Sequence, residues 1–525
     1  MFTKKYLIFA IVFIVFWFKG ILFLDPDFGW RLVGGGVFAQ NGLPQKDIFS
    51  YTMPTFAWVD HAWSQSILIN YLYTRFGQTG TSFLYMLLPL LSLFIVAQTL
   101  KDYLNDKDFF KNIGFIFGGR FFFSKFLHLS PQNFGFFAGF PFWLGASTFM
   151  IFSGVRVQLA SWLLMAILYF ILFAKGQYKK LRYYLPVFFL IWANLHGSFL
   201  SGLMALTVFI LLKSYREKHI LISDYLLILF SFLLTLVNPY GVGIWREVIS
   251  SVTDSNLRSN IIEWMPAFFM FDLSIIFLMV VSFVFIFHYK SKFTLEEIGL
   301  FLLFSFQAIF TRRHLPLWSI FAVPVAVKGI YYLYQDAKRT KLSKERFNKV
   351  YKWAWIISII FFVIDGNTAF SEALKLREGK YYPSEAVNYL SENIPKGEIF
   401  SDYGWGGYLI WKLPAKKVFV DGRMPSWRWK NPPEAELGSA FETYLGIING
   451  EDDYIQVFNK FDIDTVLWSK NMKPGSYEKY IGRIENFLTR FGYEEQNYDL
   501  LENLENHGWN IGYEDQSSIV LLAPK

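Results

Sequence analysis

Residues 5–24 (KYLIFAIVFIVFWFKGILFL) form an apolar run that, after its leading Lys5, holds a single charge, Lys19. A helix needs about 20 predominantly apolar residues to cross the hydrocarbon core of a bilayer. Ten further runs follow, at 81–100, 134–152, 158–174, 184–195, 197–213, 221–238, 273–288, 295–310, 315–333 and 351–365. Those shorter than about 17 residues predict broken or tilted helices. In lipid a backbone must satisfy its own hydrogen bonds, so such runs are read as helices. The chain is therefore expected to be a polytopic α-helical membrane protein with eleven spans. Residues 113–130 are apolar enough to enter the bilayer as well. They are expected to be re-entrant, or to split into two short passes and give thirteen spans.

The loops sort into two kinds. One kind is basic and is expected to be cytoplasmic: Lys175, Lys179, Lys180 and Arg182; Lys213, Arg216 and Lys218; and the stretch 334–352. Lys4 and Lys5 place the N-terminus on the same side. No small-residue cleavage site follows the first run, so it is read as an uncleaved span and not a signal peptide. The other kind is rich in Trp, Pro, Gly, Asn and His and is expected outside. An odd number of spans then puts residues 367–525 outside too, beside the first loop.

Charge marks the boundary of that last region. Residues 1–366 carry a net +15 and residues 367–525 a net −7. The predicted domains are a multi-span part, 1–366, whose first outer loop is 25–80, and an extracytoplasmic soluble α/β domain, 367–525. Within the latter, 383–394 and 475–491 read as helices and 397–400, 417–420, 464–468 and 518–523 as strands. The overall +8 is a topology signal and predicts no nucleic-acid partner. With no cysteine, a disulfide scaffold or thiolate zinc site is excluded. Only 18% of residues are charged, against about 25% in average domains, and 54% are hydrophobic, which excludes disorder.

Every chemically distinctive stretch falls on the outer side: 25–31 (DPDFGWR), 58–63 (WVDHAW), 154–158 (GVRVQ), 194–197 (NLHG), 238–241 (NPYG), 263–266 (EWMP) and 311–314 (TRRH). Charge at membrane depth costs about 2.5–3.5 kcal/mol on insertion scales, so such groups mark sites. Asp25 and Asp27 flank a proline. A turn there brings two carboxylates together as a general base or as ligands to a divalent cation, Mg or Mn; Asp-Pro is also a plain turn opener. Asp60 and His61 offer a base with an orienting partner, or a polar turn between anchoring tryptophans. Residues 62–76 predict an amphipathic helix along the membrane surface. Arg156, Arg312, Arg313 and His314 suit an anionic ligand, or pairing with the outer carboxylates. His196 sits in a tight polar elbow and is read as a site residue; 238–241 reads as a turn. In 401–411 (SDYGWGGYLIW), glycines and aromatic faces suit sugar contact through Asp402, Tyr403 and Trp405, or domain packing. Trp30 is grouped with them.

Together these stretches resemble the GT-C superfamily of integral-membrane glycosyltransferases, which includes protein O-mannosyltransferases, aminoarabinose transferases and oligosaccharyltransferases. Residues 25–31 with 58–63, 192–197 (WANLHG), 311–316 (TRRHLP), 401–411 and 417–423 (KVFVDGR) resemble an uncharacterised bacterial branch. The resemblance implies an inverting hexosyl- or pentosyltransferase of the inner cell membrane, using a polyprenyl-phosphate-linked sugar and a glycan, lipid or protein acceptor. Asp25 and Asp27 match the superfamily's loop-one carboxylates, with Asp60 and His61 in support. Arg156, Arg312, Arg313, His314 and His196 would meet the donor phosphate. The rival readings are a transporter or flippase, and a non-catalytic binder of lipid-linked sugar. A transporter would want charges along a two-sided path and inverted repeats; no such repeat is visible.

Overall fold

The computed structural model describes residues 7–100, 103, 139–267, 272–470 and 498–524. Residues 113–130 and the expected helix at 475–491 lie outside the described residues. A helix lies at each of the eleven apolar runs. α1 (Leu7–Leu22) is followed by α2 (Phe28–Asn41) and by α3 (Trp63–Thr99), which contains the second run. Helices Phe140–Phe152, Gln158–Phe173, Leu185–Leu195, Phe199–Glu217, Ile222–Thr235, Leu273–His288, Leu295–Phe310, Leu315–Ala337 and Lys341–Lys375 hold the others. By length and composition, four stretches among the described residues suffice to cross a membrane: Trp63–Thr99, Phe199–Glu217, Arg312–Ala337 and Lys341–Lys375. A pair bent by 112°, Gln158–Phe173 with Gln177–Leu195, adds a fifth if it forms one broken span.

Compactness divides the chain differently from charge. One unit comprises Met1–Ile21, Ser82–Val242 and Ile262–Ser371; the other comprises Leu22–Thr81, Gly243–Ile261 and Glu372–Lys525. Residues 25–80 thus belong with the C-terminal residues, together with the segment 243–261.

The first unit is helical. Its core holds Trp162, Trp192 and Trp318, all fully buried, with Phe149 stacked on Trp162 at 5.1 Å. Helices approach closely where glycine faces a large ring: a Cβ on Gly202 would lie 2.3 Å from the Trp192 ring. Lys19, the charge inside the first run, is buried. Its ammonium donates to the carbonyls of Met150 (2.9 Å), Ile151 (3.3 Å) and Ser153. A helix end leaves its last carbonyls unsatisfied and favours a cation, so Lys19 closes the end of Phe140–Phe152. Arg182, Lys213 and Arg216 of the basic loops, and Lys328, are paired as well. Asp224 accepts from Arg182 (2.6 Å) and Lys213 (2.8 Å), Glu296 pairs with Arg216 (2.8 Å), and Glu297 with Lys328.

The second unit is built on a four-stranded sheet of order β1-β2-β4-β3, with β1 Glu398–Ser401, β2 Ile463–Ser469, β3 Asn510–Glu514 and β4 Ser518–Leu522. β1 runs parallel to β2, and β4 is antiparallel to β2 and β3. Helix Ser384–Glu392 stands at the expected 383–394. Residues 417–420 form no named strand. Val418 instead makes an isolated parallel bridge with Ser50 of the first loop: Val418 N–H donates to Phe49 (3.0 Å), and Tyr51 N–H donates to Val418 (3.2 Å). Thr52 hydroxyl donates to the Phe419 carbonyl (2.6 Å) and Tyr51 hydroxyl to that of Ile399 (2.9 Å). These bonds make the first loop part of one core with Phe400, Phe419 and Trp468. β3 carries no sequence signal. It is an exposed edge strand with Gly512 inside and a register shift between Ile511 and Tyr513.

Candidate active site

In the second unit the chain leaves α1 and turns at Asp25-Pro26-Asp27. Phe28 N–H donates to the Asp25 carbonyl (3.0 Å) and Asp27 N–H to Asp25 Oδ1 (3.0 Å), a carboxylate-closed turn. Asp27 is the N-cap residue of α2, but its side chain makes no cap bond. Its Oδ1 accepts from the Trp30 indole (3.0 Å). Both carboxylates are half-buried.

Two glycines let other backbone reach this turn. A Cβ on Gly422 would lie 2.1 Å from Asp27 Oδ1, and one on Gly407 would lie 2.2 Å from the Pro26 carbonyl oxygen. A side chain at either place would force the turn to move. The motifs DPDFGWR, SDYGWGGYLIW and DGR, far apart in sequence, thus meet at one place. Phe28 packs edge-on against Trp411 (5.6 Å).

Beneath Gly422 lies a buried ion cluster. Arg423 donates to Asp421 through Nε (2.8 Å) and a terminal nitrogen (2.6 Å), and to Asp47 (2.6 Å). Its guanidinium lies over Trp58 (4.6 Å), Phe49 (5.0 Å) and Trp427 (5.3 Å). Burial alone would raise the Asp47 carboxyl. Arg423 and the donors Ser50 and Phe49 outweigh it and hold the group below its ordinary value. Burial would lower Arg423, and the two carboxylates reverse that and raise it. Asp47 and Arg423 are 376 residues apart, and no local pattern marks the pairing.

Asp60 is likewise committed. It accepts from Ala62 N–H (2.9 Å), Ser66 hydroxyl (2.8 Å) and Arg31 (3.4 Å), and is almost fully buried. Arg31 stacks on Trp30 at 4.1 Å. Asp60 therefore fixes α2 to the start of α3, where half-buried His61 also sits. Glu247, on helix Gly243–Thr253, carries no sequence signal. Burial pushes its carboxyl up to about 7, Ser251 opposes this, and the Asp60 charge adds to it.

The residues expected to touch sugar divide. Trp405 is fully buried in the core, so its ring offers no face to a ligand. Trp30 is buried too and serves Asp27. Tyr403 packs edge-on against Phe441 (5.0 Å). Asp402 accepts from Gly404 N–H (2.8 Å), and burial pushes its carboxyl up to about 6 against that bond. The glycine loop is thus a packing turn, with Asp402 as its cap.

In the first unit the outer cations gather around Glu263. Arg156 pairs with its carboxylate, and Arg313 N–H donates to its carbonyl (2.9 Å). Burial would raise Glu263; Arg156, then Arg313 and Arg312, hold it below its ordinary value. Arg312 reaches Asp272 at 3.5 Å and lies over Phe152 (4.9 Å); Arg313 lies over Trp264 (4.3 Å). His314 closes the short turn Arg312–His314, its N–H donating to Thr311 (3.0 Å). His196 Nδ1 accepts from Ser198 N–H (3.1 Å) and meets Ser161 hydroxyl (3.0 Å), which takes the Trp192 indole proton (2.9 Å). His196 therefore shapes the elbow between two helices. Asn238 likewise closes its turn, accepting from Tyr240 N–H (2.8 Å).

Among the described residues no group of three His, Asp or Glu side chains could hold a metal ion. A Mg²⁺ site built on one or two carboxylates plus substrate phosphate oxygens needs less protein than that.

No family model and no curated protein matches the chain. Solved structures similar to it include the following two. One is the apo oligosaccharyltransferase of Archaeoglobus fulgidus, at 11% identity and a TM-score of 0.49, covering 99% of this chain and 75% of that one. The other is apo ArnT of Cupriavidus metallidurans, at 12% identity and a TM-score of 0.42, covering 99% and 98%.

Proposed function

We propose that this chain is an integral-membrane glycosyltransferase of the inner cell membrane. It moves a sugar, with inversion, from a polyprenyl-phosphate-linked donor to an extracytoplasmic acceptor. The observation that carries the reading is the half-buried Asp25-Pro26-Asp27 turn, bonded by its own amide and by the Trp30 indole and closely approached by Gly422. A carboxylate so fixed suits a general base better than a swinging one.

In this reading Asp27 accepts the proton of an acceptor hydroxyl, and Asp25 holds the turn. The acceptor oxygen forms a bond to the anomeric carbon while the carbon–oxygen bond to phosphate breaks. Polyprenyl phosphate leaves with the bonding electrons. Arg156, Arg312 and Arg313 of the first unit are proposed as binders of an anion such as a donor phosphate. Their present carboxylate partners, Glu263 and Asp272, keep the guanidinium groups oriented until an anion competes for them. A divalent cation, Mg or Mn, would be held by Asp25 and Asp27 and would supply neutralisation of the donor phosphate. Arg31, Asp60 and the Asp47–Arg423–Asp421 cluster act as positioning groups for α2 and Gly422.

Transfer from a polyprenyl-phosphate sugar by purified protein in nanodiscs tests the reading. Asp27→Asn should lower the rate by about 10²–10⁴-fold, the usual contribution of a general base. Undiminished transfer would sink it. Uptake or flipping of lipid-linked sugar without transfer would favour the transporter class.

A further inference from the structure

A second feature of the C-terminal unit lies apart from the carboxylate turn. An open cleft of about 450 Å³ is lined by Arg428, Trp429, Glu442, Thr443, Glu451 and Asp452, among others. Sites for small ligands span about 300–1,000 Å³. We propose that this cleft binds a neutral oligosaccharide, the acceptor of the transfer reaction; the identification as acceptor rests on the function proposed above, the binding itself does not.

The lining chemistry selects the ligand. Arg428 is already matched, pairing with Asp254 (2.5 Å) and Glu442 (2.8 Å). The exposed carboxylates of Glu451 and Asp452 leave the cleft with surplus negative charge, which disfavours any phosphate or uronate. Asp452 is held in place: its amide donates to the Gly446 carbonyl (3.0 Å), and a Cβ on Gly446 would lie 2.2 Å from its carboxylate. Carboxylates and the Thr443 hydroxyl accept from hydroxyl groups. Trp429 is half-buried. Its indole donates to Glu436 (3.0 Å) and its ring packs against Phe56 (5.1 Å), which fixes its plane. A fixed ring beside hydroxyl acceptors matches a pyranose, which has an apolar face and a polar rim.

The cleft is tied to the carboxylate turn through one short segment. Gly422 touches Asp27 and Arg428 lines the cleft, six residues on. An extended chain covers at most about 3.6 Å per residue, so the two places lie within roughly 20 Å. Trp427 stiffens the link by stacking on Phe56 (4.8 Å) and lying against Arg423. A ligand seated in the cleft therefore needs to span no more than roughly 20 Å to reach Asp27, a length that a short oligosaccharide covers and a single sugar does not exceed.

Calorimetric titration of the full-length protein, without donor, tests the binding. The probes are three neutral tetrasaccharides (cellotetraose, maltotetraose, chitotetraose) and tetragalacturonate. At least one neutral probe should bind saturably, and the uronate should not. Asp452→Asn and Glu451→Gln, both exposed and safe for folding, should each weaken the neutral probe several-fold. Trp429→Ala should weaken it about tenfold. Tetragalacturonate binding as tightly as the neutral probes, no saturable neutral binding, or neutral binding indifferent to all three substitutions would each overturn the proposal. Because no sugar donor is present, these results stand or fall separately from the transfer assay. Loss of transfer in Asp27→Asn with probe binding intact would separate the two further.

Discussion

The carboxylate turn and the arginine cluster solve opposite problems with similar materials. Around Asp27, a backbone amide donates to the Asp25 carboxylate and the Trp30 indole to that of Asp27. Around Glu263 the cations are held by acids directly, at side-chain exposures of 14% for Arg156 and for Arg312. An acid partner orients a guanidinium but must be displaced or shared when an anion arrives. In the function proposed above, one place accepts a proton and the other exchanges one anion for another.

The largest expected effect breaks the sealed cluster. Arg423→Ala leaves Asp47 and Asp421 buried without a counter-charge, which costs about 3–5 kcal/mol. The expected result is a sharply lower unfolding temperature of the second unit, measured by thermal denaturation, with Arg423→Lys intermediate.

Gly422→Ala probes the contact between cluster and turn. Its Cβ would collide with Asp27 Oδ1, so transfer should fall at least tenfold while the unfolding temperature moves little. Trp30→Phe removes the indole donor but keeps the ring. The loss of one charge-assisted hydrogen bond, about 1.5–3 kcal/mol, should appear mainly in the rate.

Across the comparison, Glu263→Gln leaves Arg156 with a neutral partner. Affinity for a soluble polyprenyl-phosphate analogue should rise several-fold, read by equilibrium binding. Unchanged affinity would contradict the exchange of anions.

The smallest effects concern pH. The folded carboxyls of Asp402 and Glu247 are raised, to about 6 and about 7. A group raised on folding holds its proton more tightly in the native state. Its stabilising contribution is complete below the unfolded value, near 4, and is lost as pH rises through the folded value. Unfolding temperatures of the wild type should therefore fall between pH 5 and pH 7 by more than those of Asp402→Asn or Glu247→Gln.

The sequence made the helices legible because bilayer length and apolar runs are local properties; each of the eleven runs coincides with a helix. The turn at Asp25-Pro26-Asp27 was legible for the same reason, since proline and aspartate act on their own neighbours. The rest was not, because the determining contacts are distant. Val418 reads as a strand residue, yet its partner is Ser50. Trp405 reads as a ligand face, yet it fills the core. Arg423 and Asp47 find each other across the folded chain, and Glu247 acquires its character only from burial. Lys19 looked like a flaw in the first span until the open carbonyls at the end of Phe140–Phe152 accounted for it.

The most direct measurement is single-turnover transfer by Asp27→Asn and Asp25→Asn in nanodiscs, each checked for an unchanged unfolding temperature and for retained donor binding. The account predicts donor binding near wild type in both variants. It predicts a rate loss of about 10²–10⁴-fold for Asp27→Asn and a smaller loss for Asp25→Asn. Wild-type transfer by a folded, donor-binding Asp27→Asn would contradict the account.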